Sequence, residues 1–233
     1  MTSSIKSDTI FVVFAPGLTG VMAPLFEMHT TPSCNCGRRV ILWSRVKVSH
    51  VKIAFPRNFP AELRLIEDSD AEMLFALVDR NRQHLRQWLP WLESNTSLAD
   101  TATFIHHARE QHIRNKGFQA GIWYHEALAG IVGYHPIDWQ NRIVMIGYWL
   151  GEEFQDKGIM TEASRILVSH AFDEYQLNRV EIRCATANTR SCAIPERLRF
   201  IKEGIIKDGE WLYDHFVDLI VYRMLAREWR DVR

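Results

Sequence analysis

The stretch "YWLGEEFQDKGIMTEASRILVSHAF", Tyr148 to Phe172, decides the fold. It runs from a β-like segment through a glycine turn straight into an amphipathic helix. A helix start presents backbone N–H groups without intrahelical partners and the positive end of the macrodipole. Lys157, Gly158, Ile159, Met160 and Thr161 can therefore receive an anion such as a pyrophosphate, with Gly158 permitting close backbone approach and Lys157 adding a cation at the mouth. Taken alone, a glycine before a helix is more often only a tight turn. Neither GxxxxGK[ST] nor a GxGxxG after a strand is present, so a Walker loop and a dinucleotide fold are both excluded.

Upstream, "FQAGIWYHEALAGIVGYHPIDWQNRIVMIGYWL" holds three runs rich in Ile, Val, Tyr and Trp, separated by His125-Glu126 and by Asp138 to Asn141. Connections this short predict an antiparallel meander. Downstream, "RVEIRCAT" reads as a strand, "TRSCAIPERL" as a short helix and "VDLIVYRML" as a last strand. Before the meander, "AELRLIE" alternates as a short strand. Asp68 or Ser69 can then cap a helix whose Met73, Leu74, Leu77 and Val78 form one stripe. "NRQHLRQWLPWLE" continues helically until Pro90, and Thr101 to Asn115 gives another helix before Gly117. The order is strand, helices, three strands, helix, strand, helix, strand: one mixed α/β domain over residues 61–233.

Residues 1–60 read differently. "IFVVFAPGLTGVMA" resembles a signal-peptide core but is interrupted by Pro16 and two glycines, and it is too short to span a bilayer. "VILWSRVKVSHVKIAF" is apolar and β-branched enough for a strand that the pattern does not place in a core. The expectation is a poorly ordered leader of uncertain structure, with an extra structural element and an export signal as the alternatives.

Composition narrows the function classes. Lys+Arg and Asp+Glu both number 28, so bulk charge calls for neither nucleic acid nor an anionic membrane as partner. The four cysteines, Cys34, Cys36, Cys184 and Cys192, are too few and too scattered for a disulfide framework, which points to reduced thiols and a cytoplasmic location. His106, His107 and His112 lack an HExxH or a Cys/His quartet around them, so no metal is expected.

Gln155-Asp156-Lys157-Gly158-Ile159-Met160 resembles the Q/R-x-x-G-x-G/A loop of the GNAT N-acetyltransferases, with Met160 departing from the usual small residue. The resemblance extends from about Leu63 to Trp229 and is carried also by "NRVEIRCATANTRSCAIPERL" and "EWLYDHFVDLIVYRML". It points in particular to the RimL/YdaF-type ribosomal-protein serine acetyltransferases. It implies the GNAT fold, a mostly antiparallel central sheet with one parallel splayed pair, flanked by helices. It also implies acetyl-CoA as co-substrate, its pyrophosphate on the loop and its arm in the splay between Tyr148–Gly151 and Val180–Thr186. Leu150, Gln155, Lys157, Gly158, Ile159, Met160, Thr161 and Asn188 are the cofactor-binding residues so implied; Asn188 is alternatively a plain helix cap.

By the same resemblance Ser191 falls on the serine proposed as general acid toward the CoA sulfur, and Glu210 on the glutamate proposed to deprotonate the amine through a water. The chemistry needs both: the attacking amine must be neutral and the departing thiolate needs a proton. Ser191 is equally placed to cap a helix, and Glu210 to be a solvated loop carboxylate. Cys184 matches a family cysteine near the thioester; with Cys192 it is expected to be packed, leaving direct transfer in a ternary complex. Arg199 stands where the family usually has glycine, just past a helix end where a left-handed residue is common. The acceptor implied is an N-terminal serine or similar α-amine of a ribosomal protein; a polyamine, aminoglycoside or amino acid is the alternative, and a CoA-binding scaffold without turnover another. Trp88, Trp91, Trp123, Tyr148, Trp211 and Tyr213 are candidates for the acceptor groove or for core. Assembly into a homodimer stays open.

Overall fold

A computed structural model describes residues 52–55 and 59–232. Its centre is an eight-stranded sheet, β1 (Lys52–Ala54), β2 (Ala61–Leu65), β3 (Gln119–Tyr124), β4 (Ala127–Tyr134), β5 (Ile143–Leu150), β6 (Arg179–Ala185), β7 (Ile201–Leu212) and β8 (His215–Leu225), in the order β1-β2-β3-β4-β5-β6-β8-β7. The expected meander is β3-β4-β5. Every neighbouring pair is antiparallel except β5 and β6, which run parallel and pair only at Ile143↔Arg179, Val144↔Val180 and Met145↔Glu181. Both strands continue past that register, to Leu150 and Ala185, without pairing with each other. The sheet therefore opens in a V halfway across, as the splayed pair requires.

Among the described residues six α-helices flank it: α1 (Ala71–Arg80), α2 (Arg82–Arg86), α3 (Leu98–Ile113), α4 (Ile159–Asp173), α5 (Thr189–Arg197) and α6 (Ala226–Val232). Alternation along β5 divides the core in two. Ile146 and Tyr148 join the cluster built on α4 and α5, which includes Leu167, Val168 and Ile194. Trp149 joins the other cluster, with Leu74, Leu77 and Val78 of α1 and Ile105 of α3. Of the stripe expected on α1, Met73 is 46% exposed, because it falls on the flank of the buried arc rather than under it. Helix α3 starts earlier than expected, since Ser97 and Asp100 form a reciprocal capping box.

One strand was not anticipated. β7, "IKEGIIKDGEWL", is an edge strand whose first eight residues are exposed, so it lacks the apolar alternation that marks a half-buried strand. Ion pairs help hold it: Arg179 and Arg223 both reach Glu203, while Arg179 and Arg183 clasp Glu181 at 2.7 and 2.8 Å. At the opposite edge, Lys52–Ala54, within the span read as leader, pairs antiparallel with β2. The rest of that span, including the signal-like run, Cys34 and Cys36, lies outside the described residues.

Candidate active site

Gly158 sits at φ +74°, the left-handed region, and is the N-cap of α4. A side chain there would be strained whatever the space, which is the local reason for glycine at this turn. Helix α4 then leaves its first N–H groups free of intrahelical partners at the open end of the V. Met160, which replaces the usual small residue, packs inward at 5% exposure, so its bulk goes into the core.

A cavity of about 550 Å³ occupies the V, walled by the end of β5, the α4 start, α5 and α2. Of the cofactor-binding residues assigned from sequence, all but Lys157 line it, and Ser191 does too. Lys157 instead donates to the Glu153 carbonyl and lies 5.5 Å from the Phe154 ring. Asn188 uses its Oδ1 to cap α5, accepting from the Ser191 N–H at 3.1 Å; the cap reading and the cavity position hold together. Two arginines that sequence reasoning missed, Arg190 and Arg197, line the cavity from α5. Their seven-residue spacing puts them on one helical face, a signal that was present in the sequence.

Ser191 is held by its neighbours. Its Oγ lies 3.2 Å from Cys184 Sγ and 3.4 Å from the Tyr148 hydroxyl, and that hydroxyl donates to the Ser191 carbonyl at 3.1 Å. Burial pushes both the Cys184 thiol and the Tyr148 hydroxyl well above their ordinary pKa, so both stay protonated and neither is poised as a nucleophile.

Glu210 is not a solvated loop carboxylate. It is 4% exposed, its Oε1 has no hydrogen-bond partner, and burial raises its pKa to about 7. Register fixes its side of the sheet. Glu210 pairs with Val217, an odd number of residues from Ile220, which pairs with Cys184. Since side chains alternate and paired residues share a face, Glu210 and Cys184 project from opposite faces. Through Met145↔Glu181, the Glu210 face is that of Trp149 and α1, and the Cys184 face is that of Tyr148 and α4.

The hairpin carrying Glu210 is tied to the helices on that side. Tyr213 donates its hydroxyl to the Leu89 carbonyl, and the Arg86 guanidinium lies 4.0 Å over the Tyr213 ring. Among the aromatic candidates, Trp88 and Tyr148 line the cavity, while Trp91 and Trp123 are core. Trp211 is 46% exposed and stacks edge-on with Phe216.

Residues 61–201 match the family model described as "Acetyltransferase (GNAT) domain". The chain is 43% identical over 169 residues to the Bacillus subtilis (strain 168) protein YdaF, whose name assigns it provisionally to ribosomal N-acetylation; the match covers 72% of this chain and 92% of that one. It also superimposes, with a TM-score of 0.70 and 30% identity, on the ribosomal L7/L12 alpha-N-protein acetyltransferase RimL in complex with coenzyme A, over 73% of this chain and 97% of that one. A TM-score of 0.70 and 29% identity, over 72% of this chain and 93% of that one, relate it to the microcin C7 self-immunity acetyltransferase MccE bound to acetyl-CoA and AMP.

Proposed function

The chain belongs to the GNAT acetyltransferase family, with acetyl-CoA as donor, and from that premise we propose that it acetylates the α-amine of a protein N-terminus, as on a ribosomal protein, by direct transfer in a ternary complex. The observation that carries this reading is Glu210: a buried carboxylate with one oxygen unpartnered, with a pKa of about 7, on the face of the sheet opposite Ser191. An α-amine has a pKa of about 7.7 to 8.0, so a base near 7 is matched to removing its one extra proton, directly or through a water.

In the transfer, the amine nitrogen forms a bond to the acetyl carbon and the carbon–sulfur bond breaks. One ammonium proton passes to Glu210 before attack; Ser191 Oγ gives its proton to the departing sulfur and regains one from the second N–H proton that the adduct nitrogen loses, relayed through solvent. The Tyr148 hydroxyl and the capped first turn of α5 orient Ser191. The free N–H groups of Ile159, Met160 and Thr161 would take the pyrophosphate, with Asn188 on the cofactor arm and Leu150 beside it. Similarity to YdaF and to RimL supports an N-terminal acceptor, which would put the protein to work in the cytoplasm. A small amine is the second reading, favoured by the likeness to MccE with AMP in its structure.

The test is thiol release from acetyl-CoA with N-terminal serine peptides, aminoacyl nucleotides and polyamines as acceptors. Release with the peptides supports the first reading; release confined to the small amines moves the function to the second, and CoA binding without release from any acceptor leaves a scaffold.

A further inference from the structure

The phosphate loop carries its cation, Lys157, away from the cavity lining, folded on the Glu153 carbonyl and over the Phe154 and Tyr124 rings. The cation that lines the cavity beside that loop is Arg190, in the first turn of α5. Its guanidinium donates to Gln155 Oε1 and stands 3.5 Å from Asp156 Oδ2. Gln155 Nε2 in turn lies 2.6 Å from His84 Nε2 on α2, so α5, the loop and α2 are strapped together along one wall of the cavity.

Resting on the reading of this cavity as the acetyl-CoA site, we propose that Arg190 is a phosphate ligand held in reserve. In the free chain it neutralises Asp156; on binding, its guanidinium passes to phosphoryl oxygens of acetyl-CoA. A bare carboxylate at the mouth of an anion site would repel an incoming phosphate, and Arg190 removes that repulsion until the ligand arrives. The Arg190 and Asp156 side chains are 65% and 79% exposed, so the pair is held weakly and exchanges readily. The planar guanidinium fork matches two phosphoryl oxygens better than a lysine ammonium does. Either the pyrophosphate or the ribose 3′-phosphate presents such oxygens.

Calorimetric titration with CoA and with 3′-dephospho-CoA tests this on the full chain and on R190A, R190K and D156N. Arg190→Ala is expected to raise the Kd for CoA about tenfold or more, as loss of a charged hydrogen bond does. It should also flatten the salt dependence of binding, while R190K recovers only part of the loss. Asp156→Asn should tighten CoA binding; the part of the gain that comes from freeing Arg190 is lost in the R190A background, where only relief of the carboxylate's own repulsion remains. Loss retained with 3′-dephospho-CoA assigns Arg190 to the pyrophosphate, and loss confined to CoA assigns it to the 3′-phosphate. An R190A chain, melting as the unaltered protein does, that binds CoA with unchanged affinity overturns the proposal; so does a loss with unaltered salt dependence. Failure of the unaltered protein to bind CoA at all would strike the cofactor reading instead.

Discussion

Ser191 lines the cavity, whereas Glu210 projects from the opposite face of the sheet on the edge strand β7 and outside that lining, and their surroundings differ in kind. Ser191 is satisfied: a helix cap fixes its backbone, and a thiol and a phenol stand within hydrogen-bond reach of its hydroxyl. Glu210 is deprived: it is buried, and one carboxylate oxygen has no partner. A satisfied group is positioned, whereas a deprived one is tuned in proton affinity, because burial penalises only its charged form. On the proposed mechanism this difference puts orientation on the thioester side of the transfer and basicity on the amine side.

The largest expected effect breaks the deprived side. Glu210→Gln should lower kcat by about 10² to 10⁴, the range for loss of a general base, with CoA affinity unchanged. The same substitution should stabilise the protein at high pH. The folded pKa of Glu210 is raised from 4.5 to about 7, so the protonated form is the one that folding favours. Stability is full below pH 4.5 and declines as pH rises through 7, by about 3 kcal/mol for a shift of this size. Melting curves of E210Q and the unaltered protein should therefore coincide near pH 4 and separate by several degrees at pH 8, with the variant higher. A variant less stable at pH 8 would mean that a partner satisfies the carboxylate. The unaltered enzyme should lose kcat/KM as pH falls below about 7.

The satisfied side should yield less. Ser191→Ala is expected to lower kcat about 10- to 100-fold, because thiolate departure needs less help than amine deprotonation. Tyr148→Phe keeps the ring in the core but removes the hydroxyl that donates to the Ser191 carbonyl. A fall in kcat of only a few-fold is expected there, from a slacker serine, with KM for acetyl-CoA little moved. Single-turnover rates for both variants check the ranking; a Tyr148→Phe loss equal to that of Ser191→Ala would make the phenol itself the proton donor.

The two sides were not equally legible in the sequence. The thioester side sits on local signals: a glycine at a helix start, an asparagine at the next, and β-rich runs joined by short turns, all of which the structure keeps at Gly158, Asn188 and the β3-β5 meander. The burial of Glu210 is non-local. It depends on β7 pairing along β8 through two irregularities and on its hairpin meeting Leu89, and the exposed, charged pattern of β7 carries no periodic trace of either. The direction of Lys157 was not readable for the same reason, since it is set by contacts with Glu153 and Phe154 that spacing cannot reveal. Arg199, by contrast, was readable from its place after a helix end: it adopts φ +59°.

That arginine supplies the smallest and last test, which asks whether the serine side is rigid through its hydrogen bonds or through the helix that carries them. Arg199 closes α5, the helix that begins at Ser191's own cap, with its N–H on the Glu196 carbonyl and Phe200 N–H on the Pro195 carbonyl. A left-handed conformation costs a non-glycine residue about 1 to 2 kcal/mol. Glycine removes that strain but gives the unfolded chain more freedom, worth about 0.4 to 1 kcal/mol in the opposite direction. Arg199→Gly should therefore raise stability by about 0 to 1.6 kcal/mol, a rise in Tm of at most a few degrees. If hydrogen bonds at the start of α5 hold Ser191, kcat should stay unchanged, because the relieved strain lies at the far end of the helix. A change in kcat without a change in CoA affinity would show that the strained end contributes to placing the serine, and the contrast with Glu210 would then be one of degree.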